Sequence, residues 1–260
     1  MNKTLSVILF SFWVLALLGP GGAQAALLFN TNVIVNPGTE LGFASLTNNV
    51  TMPVPGWTNI VGNFTAVQYR TPPQPLPGVP TLTDPGPADR GLNLFAGGSN
   101  GNPEGFSLSS GDQILDISNA AAIIDTGSVP FSLSAFLGGY LDQRDNAVFS
   151  AIFEDASMAA LGTSTIGPVF LGERFDAIAG HTVTGLFFRS ANGFIPAGTR
   201  QIDFHLVMNG IDGAQNDGYA DNLSFIASAQ VSAVPEPGSM GLLAIGLCGF
   251  SFCLRRRRVT

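Results

Sequence analysis

The chain has 260 residues, 45% of them hydrophobic and 11% charged, with a formal charge of −7. Lys3 and Arg255 to Arg258 lie at the ends, so the span 26–234 holds 17 acidic and 6 basic residues, 6 − 17 = −11, and no lysine. That balance argues against nucleic acid and anionic lipid, which need clustered Lys or Arg. With no cysteine and only His181 and His205, the span has no disulfide framework and little for a zinc site or a histidine-based triad.

In chain order, residues 1–25 read as a signal peptide. Lys3 gives the positive start, Leu5 to Leu18 the apolar run, and Gly19-Pro20-Gly21-Gly22 ends any helix. Ala23-Gln24-Ala25 supplies the small-x-small cleavage pattern. An uncleaved anchor is the alternative, for which the apolar run is short.

The span 26–234 is long enough for one sizeable domain. Arg70 to Arg90 is proline-rich with little periodicity and is expected to be a long surface loop. Gly97 to Asn102 is expected to be a flexible turn region. Period-two alternation then predicts strands. The clearest is Phe131–Leu137, with Phe131, Leu133, Ala135 and Leu137 on one face. Ala147–Phe153, Val183–Arg189 and Gln201–Met208 follow, the last presenting Ile202, Phe204, Leu206 and Met208 on one face and His205 on the other. Gln113–Ile117 and Leu223–Ile226 are further candidates. Gly138-Gly139, Asn192-Gly193, Pro196-Ala197-Gly198, Asn209-Gly210 and Asp217-Gly218 read as turns between them. Many short strands so punctuated predict an all-β sandwich.

Candidate chemistry is sparse. There is no His-Glu-x-x-His, no Gly-x-Ser-x-Gly and no phosphate loop. Glu154-Asp155 would point to opposite faces of a strand, and Glu173-Arg174 reads as a loop. The most polar mid-chain loop is Tyr140 to Asn146. Tyr140 can stack on a sugar, and Asp142, Gln143 and Arg144 can hydrogen-bond its hydroxyls. An ordinary solvated hairpin is the alternative. Trp57, after Pro55-Gly56, is expected to be a buried plug rather than a platform.

Asn36-x-Gly38-x-Glu40, then Pro55-Gly56-Trp57, then the closing Asp221-Asn222-Leu223-Ser224 resemble the galactose-binding-like jelly rolls, which include carbohydrate-binding modules. The resemblance implies a single jelly-roll-like sandwich whose first and last strands run side by side, bringing Glu40 near Asp221. Those two carboxylates, with carbonyls near Asn36, then form an oxygen-only donor set that suits a structural Ca2+. A turn cap at Asp221 and a solvated Glu40 are the alternative.

The chain closes with Pro235-Glu236-Pro237, an uncharged stretch Gly238 to Leu254, and Arg255-Arg256-Arg257-Arg258. As a helix, that stretch spans about 25 Å, slightly less than a hydrocarbon core of about 30 Å. The arginines orient it with the C-terminus in the cytoplasm and the domain outside. Motif, apolar helix and arginine cluster resemble the PEP-CTERM sorting signal of Gram-negative bacteria. The resemblance implies processing by exosortase after passage through the secretion machinery, with delivery to the outer surface or exopolysaccharide matrix. A plain C-terminal anchor is the alternative. The expected layout is 1–25 signal peptide, 26–234 sandwich and 235–260 sorting tail. The expected role is non-enzymatic association with polysaccharide, with a purely structural surface protein or an extracellular hydrolase as the other readings.

Overall fold

A computed structural model describes residues 29–71, 78–99 and 107–228. The signal peptide, with Ala23 and Ala25, and the tail, with Pro235 to Pro237 and Arg255 to Arg258, lie outside the described residues.

Twelve strands run in chain order: β1 (Thr58–Val61), β2 (Thr65–Gln68), β3 (Asn93–Ser99), β4 (Ser107–Asp116), β5 (Pro130–Gly139), β6 (Asn146–Glu154), β7 (Ala160–Ile166), β8 (Phe175–Asp176), β9 (His181–Thr182), β10 (Gly185–Phe194), β11 (Gln201–Gly210) and β12 (Gln215–Ala227). Two five-stranded sheets face each other. The front sheet has the order β10-β5-β12-β3-β2, and the back sheet β1-β4-β11-β6-β7. The long strands pair antiparallel throughout, and the chain winds between the sheets as a jelly roll does. β8 and β9 form a separate small hairpin.

The alternation seen in sequence places the core. Leu133, Ala135 and Leu137 of β5, Phe149 and Phe153 of β6, Ile202, Phe204 and Leu206 of β11, and Leu223 and Phe225 of β12 meet between the sheets. Phe225 stacks on Phe131 with ring centroids 5.2 Å apart and lies 5.3 Å from Phe204. Removing each such ring from water contributes roughly 1.5–3 kcal/mol. Trp57 is the plug its Pro-Gly context predicts. It packs on Phe95 and Phe64 and donates its Nε1–H to Val35 O at 3.2 Å.

Several turn expectations are corrected. Gly138-Gly139, Asn192-Gly193, Asn209-Gly210 and Asp217-Gly218 all fall inside strands. Asn209 is flanked by Leu108 on one side and Asn146 on the other, so pairing on both sides overrides its local turn preference. The glycines serve close approach instead. The start of the Gly97–Asn102 stretch is also strand, because β3 runs to Ser99. A Cβ at Gly97 would collide with the Asn216 side chain of neighbouring β12. Arg174, expected in a loop, lies in a short helical turn and is 1% exposed.

The front sheet carries a second, smaller core on its outer face. Val67, Tyr69, Leu94, Ala96, Leu186 and Tyr219 are sealed there by Val79 of the proline-rich segment. That segment is expected from sequence to be a surface loop; its described part runs across the outer face but buries Val79 and Thr81, and so acts as a lid. Arg70 N–H donates to Pro80 O, and Leu186 N–H donates to Pro85 O.

Candidate functional site

The chain before β1 brings the site together. Asn30 N–H bonds Ala227 O, Val33 N–H bonds Phe225 O, and the Asn32 side chain bonds both Leu223 O and Phe225 N–H. The opening segment therefore runs beside β12 and carries Asn36 to Leu41 up to Asp221. Asn36 and Thr39 adopt positive φ of 54° and 59°, and the Asn36 side chain ties the loop by bonding Leu41 N–H and Pro55 O.

Glu40 and Asp221, 181 positions apart in sequence, lie in one neighbourhood. Glu40 Oε1 accepts the backbone N–H groups of Leu92 and Asn93 at 2.9 and 2.8 Å. This close approach needs Gly91, at φ 63°, since a Cβ there would collide with the Glu40 carboxylate. Asp221 is fully buried. Its Oδ2 accepts the Tyr69 hydroxyl at 2.7 Å, and its Oδ1 accepts Asn222 N–H at 2.7 Å. Burial pushes the Asp221 carboxyl up to about 7 against the pull of those two bonds and of Arg90, with Glu40 raising it further. Burial, then the Asp221 charge, pushes the Tyr69 hydroxyl far above its ordinary value.

Arg90 lies 5.2 Å above the Tyr69 ring. Its Nε–H donates to Pro87 O and its Nη1–H groups to Thr81 O and Asp84 O, so most of the guanidinium is spent on folding the lid. Asp89 Oδ1 accepts the Asn222 amide at 2.8 Å, and Asn222 itself has φ 48°.

Between the Asn36–Leu41 loop and the Asp89–Gly91 end of the lid lies a cleft of about 350 Å³, lined in part by Pro37, Glu40, Leu41, Asp89, Arg90 and Asn222. Sequence reasoning reached Glu40, Asp221 and Asn222 but not Tyr69, Asp89 or Arg90. The last two sit in chain with no periodicity to mark them. Among the described residues no cluster of three or more metal-ligating side chains stands ready-made.

The Tyr140–Asn146 loop lies elsewhere and is largely tied down. Tyr140 packs against the second core, and Leu141 N–H bonds Thr184 Oγ1. Gln143 O accepts from buried Arg174. Arg144 makes a forked ion pair to Asp212, at 2.6 Å for its Nη2. Asp142 is exposed. Asp145 is buried and accepts the N–H groups of Ile211, Asp212 and Asp217. Burial still raises its carboxyl above the usual range. Arg174 is held below its ordinary value, also by burial.

The back sheet has its own polar row. His205 Nδ1 bonds Asp112 Oδ1 across β11 and β4, and Ser150 Oγ bonds Thr165 Oγ1 at 2.9 Å across β6 and β7. Asp203, two residues before His205 and on the same face of β11, lies between Ile114 and Ile152. Burial and then the Asp112 charge push it up to about 6, and its Oδ1 has no partner. The outward placement of His205 agrees with the sequence pattern.

Residues 233–258 match the PEP-CTERM protein-sorting motif. The match spans the Pro-Glu-Pro, the uncharged stretch and the arginines, and it marks an exported protein bearing an exosortase sorting signal at its C-terminal end. No curated protein sequence matches the chain. Among solved structures, similar chains include the active domain of bacteriophage CBA120 tailspike protein 4 (12% identity, TM-score 0.41), covering 75% of this chain and 21% of that one. TmCBM61 in complex with β-1,4-galactotriose has 11% identity and TM-score 0.42, covering 76% and 99%. A cyclase from Fischerella sp. TAU has 13% identity and TM-score 0.45, covering 75% and 96%. This chain thus spans about a fifth of the tailspike domain. The sandwich is defined by its own strand pairing, not by these likenesses.

Proposed function

We propose that the exported domain associates non-enzymatically with surface polysaccharide, holding a short stretch of glycan in the cleft beside Glu40 and Asn222. The observation that carries this is the convergence of Glu40, Asp89 and Asn222 on one concave site that also has the apolar surfaces of Pro37 and Leu41. Carboxylates and an amide accept and donate hydrogen bonds to hydroxyls, and apolar surface suits sugar C–H faces. A volume near 350 Å³ lies within the ordinary range for ligand sites. The non-enzymatic part rests on how the carboxylates are used. Glu40 and Asp89 are engaged as acceptors, and Asp221, the group that keeps a proton near neutrality, is fully buried beneath them.

A glycan array probed with the purified chain tests this. Retained glycans whose binding falls at least tenfold in Asp89→Ala and Leu41→Ser chains support it. No retained glycan, or glycan binding indifferent to both substitutions, rejects it.

A second reading concerns Ca2+. The fully buried Asp221 beside Glu40 has Arg90 as its nearby cation, and the set is all oxygen, which fits a hard ion. Glu40, Asp221 and carbonyls of the Asn36–Thr39 loop would hold it, and the ion would supply charge neutralisation to the lid. Titrating CaCl2 while following thermal unfolding tests this reading separately.

A further inference from the structure

β10 is the edge of the front sheet and ten residues long. One side pairs with β5 along its whole length. Leu186 N–H points the other way, to Pro85 O at 2.9 Å, so the lid covers that end of the edge. In an antiparallel strand the N–H and C=O of a residue point to the same side. Phe188, Ser190, Asn192 and Phe194 therefore also turn their backbone groups away from β5, and their side chains are exposed on the sheet's outer face. Arg189 Nη1 covers Phe188 O at 3.0 Å while its Nη2 pairs with Glu173 at 2.6 Å. From Ser190 to Phe194 the strand has no proline, no lysine and no acidic residue, the devices that normally blunt an edge.

The outward residues read Phe-x-Ser-x-Asn-x-Phe, which is self-complementary. If two copies pair antiparallel about Ala191, Ser190 faces Asn192 of the second copy and Phe188 faces its Phe194, each twice. Hydroxyl then meets amide and ring meets ring, the cross-strand pairs that stabilise a sheet. The remaining edges fit less well. β1 and β2 have four residues each, β1 with a register irregularity, and β7 has seven.

We propose that β10 pairs with β10 of a second copy of this chain, joining two front sheets into one ten-stranded sheet centred on Ala191. The pairing is isologous, so it closes at two copies. It moves Arg189 Nη1 off Phe188 O and leaves its ion pair with Glu173 in place. In a chain carrying −11 over 26–234, this strand is one where two copies meet without opposing carboxylates.

Cysteine cross-linking in the full chain reads the register directly, with Cys248 and Cys253 replaced by Ser. Ala191 faces itself across the pair axis, within disulfide reach of about 4.5–5.5 Å between Cα atoms. Ala191→Cys should give an oxidised dimer at least fivefold more abundant than Ser190→Cys alone. Mixing Ser190→Cys chains with Asn192→Cys chains should restore the link. Adding Ser190→Pro to Ala191→Cys should return it to the Ser190→Cys level, because proline removes an outward N–H that only the second copy would use. A thermal melt of the Ser190→Pro chain checks that the fold survives; if it does not, the mixed-copy arm decides. Ala191→Cys linking no better than Ser190→Cys, or mixed copies linking no better than either alone, overturns the proposal.

Discussion

The two sheets turn the same kind of residue outward and treat it differently. On the front sheet, Asp221 of β12 is covered by the proline-rich lid, bonded by Tyr69 and fully buried. On the back sheet, no segment among the described residues lies over Asp203 of β11 as a lid; it sits between Ile114 and Ile152, and its Oδ1 has no partner there. Covering a sheet face creates a second core and a cleft at the lid's margin, whereas the uncovered face offers a shallow row of side chains. The difference comes from the loop between Arg70 and Arg90 rather than from the strands.

The largest effect that would test this contrast is at Leu94, which is fully buried beneath the lid. Leu94→Ala should cost about 2–5 kcal/mol of unfolding free energy, measured by urea denaturation. A cost under about 1 kcal/mol would show that the lid does not seal a core. Next, Tyr69→Phe leaves buried Asp221 without its hydroxyl donor and should cost about 1–3 kcal/mol. Added Ca2+ should then raise the melting temperature by several degrees, and the rise should shrink in Glu40→Gln; no shift removes the metal reading.

A smaller effect is in pH. Asp203 and buried Asp217 are both raised to about 6 from 3.8. Each binds its proton more tightly when folded, so its contribution is complete below about pH 4 and is lost as pH rises through 6. Stability should therefore fall between pH 4 and 7, and Asp203→Asn should flatten part of that fall, with Asp217, Asp221 and Asp145, all raised by burial, supplying the rest. Smallest of all, Ile114→Ala on the open back face, where Ile114 is 64% exposed, should stay within about 0.5 kcal/mol of the parent chain.

What the sequence made legible follows the same division. Phe131–Leu137 and Gln201–Met208 alternate cleanly because each has one face in the core and one toward solvent. β3, Asn-Leu-Phe-Ala-Gly-Gly-Ser, is buried on both faces because the lid covers its outer side, so it shows no alternation and its glycines read as a turn. Glu40 and Asp221 were paired through the resemblance of the chain's two ends. Tyr69 and Arg90 were not legible, since their roles depend on how the proline-rich segment lies across the outer face of the front sheet. The Tyr140–Asn146 loop looked like a binding loop because it is polar, but Asp145 and Arg144 spend that polarity on Asp212 and the turn before β12.

The bonds from Asn30 to Ala227 and from Val33 to Phe225 have a mechanical meaning. β12 runs from Asn222 at the cleft to Ala227, with neighbours paired along both of its sides. If the proposed glycan is held at the cleft while the chain is held at its C-terminal end, tension travels along one strand and strains its hydrogen bonds in shear, all together, instead of unzipping them one at a time.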